Sequence, residues 1–165
     1  MPRVFTEAEL DALISCPKQI EDRPRREMRT EGKMKRNEMT LRSSDGSETF
    51  RVFLRQSLEL AENFSLGLIY VPIGDPGSFA LVRCNGQHGG TVSQPHHAYY
   101  PIHKCTADDL NDGILEPRRI EQTSAYASYL EALGYFLDMI NLENAEVFFP
   151  GIRQRLLFND DQMPP

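Results

Sequence analysis

The sequence has no tryptophan and only three cysteines, Cys16, Cys84 and Cys105. An odd number at no CxxC spacing fits neither a disulfide framework nor a zinc ribbon, and it points to a reducing cytoplasm. No stretch approaches the roughly 18 apolar residues of a membrane span. The opening residues MPRVFTE lack the apolar core of a secretory signal, so a soluble cytoplasmic protein without membrane contact is expected. A Walker phosphate loop, a GxGxxG turn, a GxSxG elbow and an HExxH pair are all missing. Those gaps set aside P-loop nucleotide chemistry, dinucleotide binding, the α/β-hydrolase triad and the commonest zinc peptidase. There is no internal repeat and no low-complexity tract.

At 165 residues the expectation is a single domain, 1–165, large enough to bury a core without disulfides or metal. The net charge of −6 argues against a generic nucleic-acid binder. The charge is uneven, however. Between Lys18 and Arg42 nine basic residues face five acidic ones, so the remainder of the chain is more acidic than its total suggests. Residues 18–37 show little apolar periodicity, which predicts a basic loop or arm that is either a solvated face or a local guide for a polyanion.

Apolar spacing supplies the fold. Thr6 followed by Glu9 reads as a helix start, with Leu10, Leu13 and Ile14 as its inward stripe and Pro17 beyond it. Residues 38–43 and 49–56 alternate on either side of Asp45-Gly46 and predict a hairpin. Residues 64–71, 79–84 and 99–104 read as further strands. A helix over 123–140 follows from Tyr126, Leu130, Leu133, Leu137 and Ile140 at alternating gaps of four and three. Residues 106–122 read as a long connection, and 146–150 as an edge strand or short docking segment. The expected class is α+β: an antiparallel meander of four to six strands over 38–104, with an N-terminal helix and a longer C-terminal helix packed on one face.

The residues that carry chemistry collect in the second half of the meander. All four histidines, His88, His96, His97 and His103, fall between Phe79 and Lys104, together with Cys84, Arg83, Asn85 and the glycines Gly86, Gly89 and Gly90. Imidazoles exchange protons near neutral pH, and glycines let a backbone crowd a ligand. In the strand TFRVFLRQ, Phe50, Val52 and Leu54 point one way, and Arg51, Phe53 and Arg55 the other. Two arginines on one face of a central strand call for solvent, carboxylates or an anion. With sequential pairing, Arg51, Arg55, Arg83 and His103 converge on one side near Gly67, which leaves a dent.

Three readings of this cluster stand side by side. In the first, RNA is cleaved without metal or other cofactor. His103 and His88 act as acid and base with Arg83 as stabiliser, while Arg51, Arg55, Asn85 and His97 bind substrate and Phe53 stacks on a base. In the second, His88, His97 and His103 hold a metal with Cys84 or Cys105, at spacings matching no ordinary zinc motif. In the third, the histidines are loop residues of a non-enzymatic protein-binding module. Cys84 and Cys105 sit in apolar contexts that favour packing over nucleophilic roles.

The segments FRVFLRQ, ENFSLGLIY, LVRCNGQHG and PIHK, followed by the TSAY that opens the second helix, resemble a bacterial and phage family of unknown function with RCNGxHG and IHK motifs. That family brings no activity with it. More distantly, the order of an N-terminal helix, an arginine strand, an Asn/His turn and a histidine strand resembles barnase-like and RelE-like ribonucleases and small toxins of toxin–antitoxin loci. The acidic balance and the length depart from RelE-like toxins. This likeness implies an RNA substrate and an antitoxin, with another protein, such as a phage or defence-locus component, as the partner under the binding-module reading. Oligomeric state stays open.

Overall fold

The computed structural model describes residues 3–74, 77–86 and 100–152. The fold is α+β, built on one antiparallel sheet of eight strands. In chain order these are β1 (Lys18–Asp22), β2 (Arg29–Glu31), β3 (Met34–Ser43), β4 (Thr49–Ser57), β5 (Phe64–Val71), β6 (Phe79–Asn85), β7 (Tyr100–Lys104) and β8 (Arg119–Thr123). The spatial order is β1-β3-β4-β5-β6-β7-β8, with β2 beside the other half of β3. Four helices complete the described chain: α1 (Glu7–Ser15), α2 (Ala107–Asn111), α3 (Tyr129–Met139) and α4 (Ala145–Phe148).

The central strands follow their alternation. Phe50, Val52 and Leu54 of β4 and Phe64, Leu66, Leu68 and Tyr70 of β5 are buried in one apolar cluster with Leu10 and Leu13 of α1 and Phe136 and Leu137 of α3. Both helices therefore pack on the same face. Thr6 caps α1 as expected, its Oγ1 accepting from the Glu9 N–H at 3.2 Å. The Asp45-Gly46 turn joins β3 to β4, and Gly46 adopts φ 81°, a left-handed value that favours glycine.

The sheet is wider than the four to six strands expected. Residues 18–37 were expected as a loop or arm because charge masks their period. They instead supply β1, β2 and the first half of β3, which starts at Met34 rather than at residue 38. The connection 106–122 contains α2 and the start of edge strand β8, whose RIEQT is short and almost wholly exposed. Residues 145–148 form α4, not an edge strand. The second long helix starts at Tyr129 because Ser128 caps it, its Oγ accepting from the Glu131 N–H at 3.2 Å. Tyr126 thus precedes the helix, and the buried stripe runs through Ala132, Leu133, Phe136 and Leu137 while Leu130 is exposed.

Lys18 is the least expected core residue. It was counted with the basic surface segment, yet it has no exposed area. Its ammonium donates to the carbonyls of Ile14 at 2.6 Å, Cys16 at 2.9 Å and Ile140 at 2.9 Å, and lies 4.8 Å from the Phe50 ring centroid. Its backbone is bridged to the segment after α3, with Lys18 N–H donating to Asn141 O and Glu143 N–H donating to Lys18 O. Desolvation pulls its pKa down to about 8.

Replacing Lys18 with Met leaves two buried carbonyls and one part-buried carbonyl without their donor. Lys18→Met is expected to lose about 2–4 kcal/mol of stability in urea titrations, and a loss under about 0.5 kcal/mol speaks against the tie. A second prediction concerns alkaline pH. Burial pushes the Cys84 and Cys105 thiols up to about 12, from 9.0 when unfolded. A raised folded pKa makes the native state retain a proton that the unfolded chain releases. The stability it contributes is complete below pH 9.0 and is lost as pH climbs toward 12. Cys84→Ala is therefore expected to be less stable at neutral pH but to decline less steeply above pH 9.0, by about 1.4 kcal/mol per pH unit. Lys18 acts oppositely, adding stability as pH rises from about 8 to 10.5, so the test is the difference between the two slopes. Parallel slopes refute it.

Candidate anion-binding site

Residues opposite each other in an antiparallel ladder share a face, so the register states which side chains meet on the side away from the helices. One row runs Arg36, Arg55, Ser65, Asn85 across β3 to β6. The next runs Glu38, Phe53, Gly67, Arg83, His103, Ile120 across β3 to β8. A third runs Thr40, Arg51, Ile69, Ala80. Arg51, Arg55, Arg83 and His103 thus share one side. A register irregularity between Leu68 and Ile69 shifts only the far end of β6, beyond Arg83.

Electrostatics separate these arginines from the others. Arg42 pairs with Glu21 at 3.2 Å, Arg118 with Asp109 at 2.7 Å and Arg29 with Glu31 at 3.2 Å. Among the described residues Arg51, Arg55 and Arg83 have no carboxylate within 4.0 Å, and Arg36 reaches Glu31 only at 3.8 Å. The chain has 24 acidic against 18 basic residues, so a shortage of carboxylates is not the cause. Among the described residues, the Nε atoms of Arg36, Arg55 and Arg83 are buried with no hydrogen-bond partner. Desolvation, then the like charges of Arg36 and Arg83, pulls the Arg55 pKa below its usual value. A buried donor left unmet costs about 1–3 kcal/mol, which a hydrogen-bond acceptor placed in the groove would offset.

Three hollows follow one another along this face. The first, about 290 Å³, is lined by Arg23, Glu38, Thr40, Arg51, Phe53 and Ile69 among others. The second, also about 290 Å³, shares Glu38 and Phe53 with it and adds Arg36, Arg55, Arg83, Leu115, Glu116 and Pro117. The third, about 320 Å³, shares Arg55 and Arg83 and adds Met34, Asn63, Ser65, Asn85 and His103. A larger cavity of about 470 Å³ beside α1 differs in kind: its Arg3 already donates to the Tyr70 hydroxyl at 2.8 Å, and its Asp45 accepts from Ser43 and Ser47. Unmet cationic donors gather in the second and third hollows.

Comparison with protein-family models, curated proteins and solved structures finds no match. The site is therefore read from its own geometry.

Phe53 and Gly67 explain each other. The dent expected at Gly67 is filled, because a β-carbon there would fall 2.2 Å from Phe53 Cε1. The Arg55 guanidinium lies 5.0 Å from the Phe53 ring centroid. Phe53 is thus a wall between two hollows, packed on backbone and covered in part by a cation. Gly86 is needed for close packing rather than for unusual angles, since a β-carbon would fall 2.0 Å from the Glu62 carbonyl oxygen. Asn85 is buried, its Oδ1 accepting from the Ser65 hydroxyl at 2.6 Å and its carbonyl from the Tyr126 hydroxyl at 2.9 Å.

His103 stands opposite Arg83, whereas His88, His96 and His97 lie outside the described residues. Cys84 pairs with Ile102 and faces the core, so it cannot share an ion with His103 on the other side. No group of three potential metal ligands is found among the described residues, and no helix there is long and apolar enough to cross a membrane. Sequence reading missed Arg36. Carrying the Met39 and Leu41 alternation back along β3 puts Arg36 on the arginine side, and the hairpin register then sets it opposite Arg55.

Gly67→Ala is expected to cost about 1–2 kcal/mol by displacing the Phe53 ring. The double variant with Phe53→Ala should cost less than the sum of the two single changes. Strict additivity in urea titrations refutes the packing.

Proposed function

We propose that this face binds RNA through its phosphates and that the protein cleaves the strand without a metal ion. One observation supports the reading: Arg36, Arg55 and Arg83 line one hollow, their buried Nε donors unmet among the described residues, and His103 lies opposite Arg83. A phosphodiester answers such donors, because its two unesterified oxygens accept charge-assisted hydrogen bonds from guanidinium groups.

In the reaction, the 2′-oxygen of one ribose bonds to the adjacent phosphorus as the bond from phosphorus to the next residue's 5′-oxygen breaks. A base takes the 2′-hydroxyl proton and an acid protonates the leaving 5′-oxygen, giving a 2′,3′-cyclic phosphate and a free 5′-hydroxyl. His103 carries one of these proton transfers. His88, three residues beyond β6 in the sequence, is assigned the other. Arg83 offsets the negative charge that develops on the phosphate, and Arg55 holds the group in place. Such an activity endangers the cell that makes it, so an inhibitory antitoxin-like protein belongs to the same proposal. A non-enzymatic binding module is favoured instead by Leu115 and Ile120, exposed at 54% and 59%, if the groove meets an acidic, apolar peptide.

The test is cleavage of a fluorescent RNA in the presence of EDTA. His103→Ala is expected to lower the rate about 100-fold or more, and Arg83→Ala by about 100-fold, with urea stability and circular dichroism preserved. Cleavage that stops with chelator, or persists in His103→Ala, overturns the assignment.

A further inference from the structure

The three hollows are neighbours that share lining residues, and their order bears on the form of RNA that fits. This inference rests on the reading of the face as an RNA-binding surface. Phe53 separates the first hollow from the second, and Arg55 with Arg83 separates the second from the third. Basic residues therefore stand at three stations: Arg51 and Arg23 at one end, Arg55 and Arg83 in the middle, His103 at the other end.

Arg51 and Arg55 lie four residues apart on β4, roughly 13–14 Å along the strand. A single nucleotide cannot engage both with one phosphate, but a chain with a phosphate at every unit can. Each hollow is near the lower end of the about 300–1,000 Å³ range of small-molecule pockets, so each is sized for one unit of a polymer. A duplex turns its bases inward and offers a rigid rail of phosphates, leaving such hollows unfilled. Unpaired nucleotides can send bases into them while the backbone follows the arginines.

We infer that the ligand is single-stranded RNA engaged over at least three consecutive nucleotides, with Arg51 holding a phosphate remote from His103. Arg51 is exposed and has no ion pair among the described residues, so it contributes grip without shaping the fold.

The experiment is fluorescence anisotropy of the full chain with fluorescein-labelled 2′-O-methyl oligouridylates, which lack the attacking hydroxyl. Mono-, di-, tri-, tetra- and hexanucleotides and a blunt RNA duplex are compared. Affinity is expected to strengthen with each added nucleotide up to three or four and then level. The duplex should bind about tenfold more weakly than the hexanucleotide. Arg51→Ala should weaken the hexanucleotide at least about fivefold more than the dinucleotide. A mononucleotide binding as tightly as the hexanucleotide, a duplex binding equally well, or an Arg51→Ala loss independent of length overturns the inference while leaving RNA binding intact. Binding of no oligonucleotide, or binding unchanged in Arg55→Ala and Arg83→Ala, overturns the underlying reading as well.

Discussion

A buried ammonium ties the two main helices to the sheet. The last carbonyls of a helix lack intrahelical donors, and a cation at that end meets both the carbonyls and the negative end of the helix dipole. Lys18 does this for α1 through Ile14 and Cys16 and for α3 through Ile140, from the first residue of an edge strand. Among the described residues it has no carboxylate partner, so its desolvation is offset by three carbonyl hydrogen bonds and the Phe50 ring. The outer side of β1 is covered by the same region. The Ile20 N–H donates to Asn144 Oδ1 at 2.9 Å, which blunts that edge against pairing with another chain.

Fixing both helices to one face leaves the other face to a different chemistry. Alternation along β4 separates Phe50, Val52 and Leu54 from Arg51, Phe53 and Arg55, so one strand supplies part of the core and part of the groove. Phe53 and Gly67 connect these roles. The glycine lets the ring lie against the sheet, and the ring then divides the groove and sits beneath the Arg55 guanidinium. Rigidity at this point matters because three like charges gathered by side-chain flexibility alone would drift apart.

The sequence was most informative where alternation was clean. The first hairpin, the two faces of β4 and β5 and the Thr6 cap all follow from local residue order. It was least informative where charge covers periodicity: β1 and β2 bear so many Arg, Lys, Glu and Asp side chains that they read as a loop. Lys18 looked like surface for the same reason, since only the helix ends, brought together by folding, give its ammonium a buried place. Arg36 was hidden in that stretch, although its position opposite Arg55 follows once β3 is extended. The sharing of one side by Arg51, Arg55, Arg83 and His103 follows from alternation and sequential pairing. That Arg51, Arg55 and Arg83 lack carboxylate partners among the described residues does not, because ion pairing depends on distant segments such as 112–118.

The acidic balance of the chain and its arginine groove are compatible, and under the proposed function together they favour selectivity. Screening limits exposed charges to about 8 Å at physiological salt, so a polyanion passing over the rest of the surface meets net repulsion at short range. Under the proposed reading, attraction is confined to the groove, where partial burial of Arg55 and Arg83 strengthens their guanidinium contacts and where, among the described residues, Arg51, Arg55 and Arg83 have no carboxylate within 4.0 Å to give up. A uniformly basic protein would hold any nucleic acid by counterion release alone. On the proposed reading, a ligand gains only by bringing phosphates to the particular stations of Arg51, Arg55 and Arg83, so that fit to the hollows, rather than charge in bulk, would decide what stays bound.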